Sequence, residues 1–239
     1  MAKGTEARLR GSAEKVAGTA TWALSPTDLT FLWDECRHCF YMKVARNQPR
    51  PRGAFPRVFG VIDRVMKDFY LGKRADVLQA GMPLGAIGGR DRWVKSAPTV
   101  PAGSDSAFLI RGRVDVLVEF ADQTTGIIDF KTIEPNPAHI AAYGRKLHAY
   151  AFALEHPATG RPRTVSVVGL LCFSPGTFET RGERAALVGD VRWIEIPRDD
   201  VSFCAFLAEV AGVLGRPNAP PPAPDCSWCS WEPSARQTA

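Results

Sequence analysis

Residues 107–133 read AFLIRGRVDVLVEFADQTTGIIDFKTI, and this stretch decides the fold. Ala107–Phe120 is apolar and increasingly β-branched, residues 121–126 are turn chemistry, and Ile127–Ile133 is a second apolar run. Two such runs either side of a turn predict paired strands with a loose connection. Side chains alternate along a strand, so Asp129 and Lys131 share one side while Ile128 and Phe130 face the other. Pairing brings Asp115 alongside them. Two carboxylates and a lysine then meet within apolar strands, and buried charges need partners or a metal.

Reading outward, Ser25-Pro26-Thr27-Asp28 predicts a helix start, with Ser25 as cap and Pro26 at the first helical position. That helix carries Leu29, Phe31, Leu32 and Trp33 towards Cys36. Residues 47–56 are a proline-rich loop, and residues 58–71 predict a helix burying Ile62, Val65, Met66 and Phe69. The Gly/Pro-rich segment 81–106 leaves room for a short strand at Trp93 and Val94. Downstream come a helix over Pro137–Glu155, a strand over residues 164–173, a strand over residues 191–196 and a helix over residues 200–214. Residues 217–224 are a proline-rich connector. The expectation is one α/β domain over residues 23–239, a mixed central sheet flanked by helices, preceded by a disordered lead-in over residues 1–22.

The chain of 239 residues is 45% apolar and 23% charged, which suits an ordinary core. No apolar run is long enough to span a membrane, and Met1–Val16 holds no apolar signal core, so the expected location is cytoplasmic. A net charge of +5 fits a polyanionic partner, and Arg46, Arg50, Arg52 and Arg57 cluster. The bland alternative is a solvated basic loop. Of the six cysteines, Cys172 and Cys204 lie in apolar surroundings and read as small core residues. The others form two pairs, Cys36-x-x-Cys39 and Cys226-x-x-Cys229, flanked by Phe40, Tyr41, Trp228 and Trp231. Without a signal sequence, such spacing points to a metal or cluster rather than disulfides.

Clustered carboxylates repel, and one has its pKa raised unless a cation intervenes. Mg²⁺ prefers carboxylate oxygens and keeps several waters, and such an ion polarises a phosphodiester and activates water. Lys131 then orients the attacking water or neutralises charge on the phosphorus oxygens. A D-x-K triplet alone is common on exposed strand faces; its coincidence with Asp115 on the neighbouring strand is the stronger signal.

Gly112-Arg113-Val114-Asp115, then Asp129-Phe130-Lys131-Thr132, then Lys146-Leu147-x-x-Tyr150-Ala151 resembles the ordered motif series of RecB-like nucleases in the PD-(D/E)XK superfamily. The series there is G-x-x-D, D-x-K-T and a helix bearing Q-L-x-x-Y-A. The resemblance implies a restriction-endonuclease-like core and a metal-dependent deoxyribonuclease using Mg²⁺ or Mn²⁺. Asp115, Asp129, Lys131, Lys146 and Tyr150 are then the catalytic candidates, acting on single-stranded DNA or ends. Lys146 stands where the series has glutamine. The first-motif histidine or acid is missing from its usual place, and Asp63 is the candidate, with Asp68 behind it; Asp63, Asp115 and Asp129 would hold the ion. The cysteines extend the likeness to the iron–sulfur subset that includes the CRISPR-associated adaptation exonucleases. They imply a [4Fe–4S] cluster on Cys36, Cys39, Cys226 and Cys229, with Zn²⁺ as the alternative. Protein partners would belong to a repair or adaptation complex. A nuclease-like fold that holds DNA without cutting it, and a zinc-stabilised interaction protein, are the rival readings.

Overall fold

The structure is a computed structural model describing residues 14–16, 19–51, 53, 56–101 and 103–230. Strands β1 (Glu14–Val16) and β2 (Thr19–Leu24) come first, followed by a π-helical turn (Asp28–Leu32) that runs into α1 (Trp33–Glu35). Then come α2 (Arg37–Ala45), α3 (Arg57–Tyr70), β3 (Gly85–Lys95), β4 (Ala107–Phe120) and β5 (Thr125–Thr132). The series ends with α4 (Pro137–Glu155), β6 (Val165–Arg181), β7 (Arg184–Glu195) and α5 (Asp200–Leu214). No helix among the described residues is long and apolar enough to cross a membrane.

The strands form one mixed sheet in the order β1-β2-β4-β5-β6-β7, with β3 pairing β4 on its other edge. The pairs β2–β4 and β5–β6 are parallel and the rest antiparallel. A parallel β5–β6 pair needs a crossover, and α4 supplies it. The α/β class and the mixed, helix-flanked sheet are therefore as expected. Leu147, Tyr150, Ala151 and Leu154 of α4 pack on Val114, Leu117, Ile127 and Leu170. On the opposite face Met66 and Tyr70 of α3 cover Val116, Ile128, Phe130 and Leu171. A third cluster joins the N-terminal helices to α5 through Trp33, Phe40, Phe203 and Leu207.

Several expectations are corrected. Residues 14–16 and 19–22, assigned to the lead-in, belong to strands, because β2 finds a parallel partner in residues 107–110 of β4 and β1 pairs with β2. Residues 1–13, 17 and 18 lie outside the described residues, as do Arg52 and Trp231. The short strand at Trp93–Val94 is an eleven-residue edge strand, with a register shift between Ile87 and Arg90 that absorbs its glycines. Helix α3 exposes Val65 and Phe69, since it lies over the sheet on its Met66–Tyr70 side alone. Cys204 is exposed on the outer side of α5, whereas Cys172 is buried. Strands β6 and β7 run on as a hairpin whose outer part, with Phe178 and Leu187, is exposed.

Gly112 is where the fold tolerates no side chain. A Cβ there would lie 2.9 Å from Cδ of Pro26 and 3.0 Å from Cε1 of Tyr150. The Tyr150 hydroxyl meanwhile donates to the Arg113 carbonyl at 2.7 Å. The tyrosine thus grips β4 beside Asp115 only because residue 112 is bare. Gly112→Ala is expected to destabilise the fold by about 1–3 kcal/mol through overpacking. Denaturant melts of the two proteins check this, and an unchanged midpoint would show that the contact is slack.

Candidate active site and cysteine centre

The last β4–β5 pair is Val116 with Ile128. One step further, the register would set Asp115 opposite Asp129, but there the strands part. Strand β4 stays with β3 down to Arg111, and β5 stays with β6 out to Thr132. The parting opens a fork into which both helical layers reach, α3 from one face and α4 from the other.

Asp129 is 1% exposed and held by two cations. Lys146 of α4 donates to Oδ1 at 2.7 Å, and Lys131, on the same side of β5, pairs with Oδ2. Lys131 also donates to the Phe130 carbonyl at 2.9 Å and lies 4.8 Å from the centre of the Tyr143 ring. Tyr143, Lys146 and Tyr150 fall at i, i+3 and i+7 on α4, one helical stripe facing the sheet. Asp115 meets Lys67 of α3 at 3.2 Å, and the same ammonium reaches Asp63 at 2.9 Å and Asp91 at 3.4 Å. Lys67 is 5% exposed; burial would lower its pKa, but Asp115 and Asp63 outweigh that and raise it. A cleft of about 520 Å³ opens over the group, walled by Thr27, Phe31, Phe59, Asp63, Lys131 and Tyr143.

The two central carboxyls interact directly and titrate apart. Burial, reinforced by the charge on Asp129, pushes Asp115 up to about 7, against a smaller pull from Lys146 and Lys131. Burial would also raise Asp129, but Lys131 and Lys146 overcome it and hold that carboxyl well below the usual range. Asp129 is thus the fixed anion and Asp115 the group that charges late.

The structure brings Asp115, Asp129, Lys131 and Lys146 together, and treats the other candidates differently. Asp63 walls the cleft but meets Asp115 only through Lys67, so the expected trio of Asp63, Asp115 and Asp129 does not close on one point. Among the described residues, the group of three or more potential ligands close enough to hold one ion is the set of cysteines. Asp115 and Asp129 remain, and they fit Mg²⁺, which is commonly bound by one or two carboxylates plus substrate phosphate. Tyr150 is 4% exposed, and its hydroxyl is spent on the Arg113 carbonyl rather than offered to the cleft. Asp68 pairs with Arg90.

Lys67 and Asp91 escape a sequence reading. Lys67 sits one helical turn beyond Asp63, which is the only hint of it. Asp91 follows Gly88-Gly89-Arg90 in a left-handed conformation, φ 52°, that aspartate tolerates better than most residues. His148 is structural: it donates from Nδ1 to the Gly144 carbonyl at 2.8 Å and accepts the Asp199 amide on Nε2 at 2.9 Å, locking α4 to the start of α5.

Far from the fork in sequence, Cys36, Cys39, Cys226 and Cys229 converge, their sulfurs all within 4.8 Å of one another and unbridged. Closest approaches are 3.3 Å for Cys39–Cys229 and 3.8 Å for Cys36–Cys229 and Cys39–Cys226. Part of the basic cluster is used here rather than left for an external anion. Arg50 donates to Sγ of Cys226 at 3.0 Å and to Glu35 at 2.5 Å, and Arg46 donates to the Pro217 carbonyl at 2.9 Å. Burial would raise the Cys36 pKa, but hydrogen bonds from the backbone of Ala223 and Cys39 outweigh it and lower it to about 6, whereas burial raises Cys39 and Cys229, so the four thiols do not ionise together without a cation.

The profile of the PD-(D/E)XK nuclease superfamily matches residues 53–234. No curated protein matches the chain. One solved structure, described as "Crystal structure of SSO0001", is 13% identical, with a TM-score of 0.38, and covers 82% of this chain and 77% of that one. A likeness that faint carries no argument.

A carboxyl whose folded pKa is raised takes up protons that the unfolded chain has released, so its contribution to stability falls as pH climbs from about 4 to about 7. In metal-free protein Asp115→Asn is therefore expected to raise the melting temperature at about pH 8 and to raise it less at about pH 5. Thermal melts in chelator check the sign, and a loss of stability at both pH values would contradict it.

Proposed function

The chain belongs to the PD-(D/E)XK nuclease superfamily, and from that premise we propose that it is a metal-dependent DNA nuclease of the RecB-like branch, acting on single strands or ends. The observation that carries the reading is the fork, where Asp115 and Lys131 line one open cleft and Asp129 lies buried directly behind them, paired with Lys131. A divalent cation held by Asp115 and Asp129 would supply Lewis-acid polarisation of the phosphodiester and an activated water. The chain's own groups do the rest. Asp129, permanently ionised, anchors the centre. Lys131, with its ammonium also donating to the Phe130 carbonyl, presents positive charge to the cleft, where charge on a phosphorus oxygen develops. Tyr143 and Phe31 wall the cleft with aromatic surface against which a terminal base can rest. Tyr150 is a positioning residue, acting through the strand that carries Asp115. Free cysteines suit a cytoplasmic setting.

One observation favours the second reading, a nuclease fold that binds without cutting. Both oxygens of Asp129 already face ammonium groups, and Lys146 replaces the neutral glutamine of the motif. The difference is measurable. Lys131→Ala is expected to lower Mn²⁺-dependent degradation of labelled single-stranded DNA by about 10²–10³-fold. Lys146→Gln, which removes a like charge from the ion's surroundings, is expected to lower the half-saturating Mn²⁺ concentration by roughly tenfold. DNA bound but uncut by both the parent chain and Lys146→Gln at any Mn²⁺ concentration would establish the binding module.

For the cysteines, closest sulfur separations of 3.3–3.8 Å, with all four within 4.8 Å, suit one tetrahedral ion, since Zn–S bonds of about 2.3 Å place sulfurs about 3.8 Å apart. A four-iron cluster sets eight atoms between its thiolates and needs a wider cage. We therefore favour zinc over the cluster that the resemblance implies. Anaerobically purified protein should be colourless and carry one equivalent of zinc; a brown protein with stoichiometric iron and sulfide would reverse the assignment.

A further inference from the structure

A second concave surface lies along the edge strand β3. It is a groove of about 510 Å³ whose walls include Trp93, Lys95, Arg111, Arg161 and Arg163 and contain no acidic residue. It is held in shape by backbone bonds. The segment after α4 folds back on the end of β3, with the Ala97 amide donating to His156 at 2.7 Å and the Ala158 amide to Lys95 at 2.9 Å. The Arg163 amide returns to Leu154 at 3.0 Å, and the intervening turn passes through Gly160 at φ +86°, a conformation that favours glycine. Arg161 and Arg163 are thereby placed beside Lys95 and Arg111. Arg163 also reaches Glu119, at 3.5 Å.

Trp93 is the unusual member. It is 65% exposed, with its indole available at the mouth of a cationic groove. Charges on an edge strand have a bland explanation, protection against pairing with another sheet. That explanation accounts for Lys95, but not for an exposed tryptophan or for arginines brought in by another segment.

The groove and the fork are separate cavities built along the same strand, β4. Trp93 pairs with Arg113 and Lys95 with Arg111 across β3 and β4. Arg113 reaches Asp91 at 3.6 Å, and Asp91 shares Lys67 with Asp115. From Arg111 to Asp115 is four residues of strand, about 13 Å. A flat aromatic face beside closely set cations, a short step along β4 from the proposed phosphodiester site, is the chemistry that holds a single strand by stacking and backbone contacts.

We propose that the groove of Trp93, Lys95, Arg111, Arg161 and Arg163 is a binding track for single-stranded DNA leading to or from the Asp115–Asp129 fork. The proposal rests on the nuclease reading for its choice of DNA, but its test does not need cleavage. Anisotropy of a fluorescein-labelled oligothymidylate in chelator reads binding alone. Trp93→Ala is expected to raise Kd at least tenfold, Trp93→Phe, which keeps a stacking face, to stay within about threefold of the parent. Arg161→Ala/Arg163→Ala is expected to weaken binding and lower the slope of log K against log salt by about 1.4, two backbone contacts at about 0.7 each. Mn²⁺-dependent hydrolysis of bis(p-nitrophenyl) phosphate, which occupies the fork alone, should be unchanged in all three variants. Unchanged Kd in both Trp93→Ala and the double arginine variant overturns the track and leaves the nuclease reading standing. Weakened binding by variants of a protein that hydrolyses no phosphodiester supports the track while removing the nuclease reading.

Discussion

Everything around the fork depends on β4 and β5 ceasing to pair beyond Val116 and Ile128. Continued pairing would press Asp115 and Asp129 together within a closed ladder, with no room for substrate and no access from the helices. By separating there, the strands keep the register that sets the acids opposite one another yet part their backbones, so that the two carboxyls meet across the opening. Each strand retains its outer neighbour, β3 or β6, so the parting leaves both backbones supported. The acids therefore sit on rigid elements, Asp115 at the wall of the open cleft and Asp129 buried behind it, which is the arrangement a preorganised site requires.

Charge around the gap is close to balanced by the protein itself. Asp63, Asp91, Asp115 and Asp129 are met by Lys67, Lys131 and Lys146. The balance is uneven in space. Asp129 has two cations and stays ionised, while Asp115 shares one lysine with two other acids and resists ionisation. Removing Lys146 would leave the buried Asp129 with Lys131 as its remaining close cation, at a cost short of the about 3–5 kcal/mol typical when a buried charge loses every partner. The lysine in the glutamine position therefore has a structural consequence as well as a chemical one: it is part of what lets Asp129 exist as a buried anion.

The sequence makes legible what is local and strongly patterned. Strands β4 and β5 announce themselves by apolar, β-branched runs broken by single charges, and α4 by its periodic apolar stripe. The cysteine pairs are recognisable from spacing alone, although 187 residues separate Cys39 from Cys226. What stays hidden depends on tertiary context. Strand β2 is short and becomes a strand by pairing with β4. Strand β3 begins in glycines that read as loop, and a register shift accommodates them. Lys67 looks like any helical surface lysine until α3 is laid on the sheet and buries it. Asp63 carries the right chemistry, yet the same lysine one turn later separates it from Asp115. Arg50 reads as part of a basic surface, and only the convergence of the chain ends shows its bond to Cys226.

The cysteine centre joins segments that are synthesised at very different times. Its first pair emerges before β3 to β7, and its second only after all of them. The sheet, the crossover helix and the fork can thus assemble while the centre is still half made. Until Cys226 and Cys229 arrive, the helix carrying Thr27 and Phe31, one wall of the cleft, waits without the anchor that Cys36 and Cys39 will give it. Capture of an ion there would be a late step of biogenesis, made after the floor of the cleft is already laid.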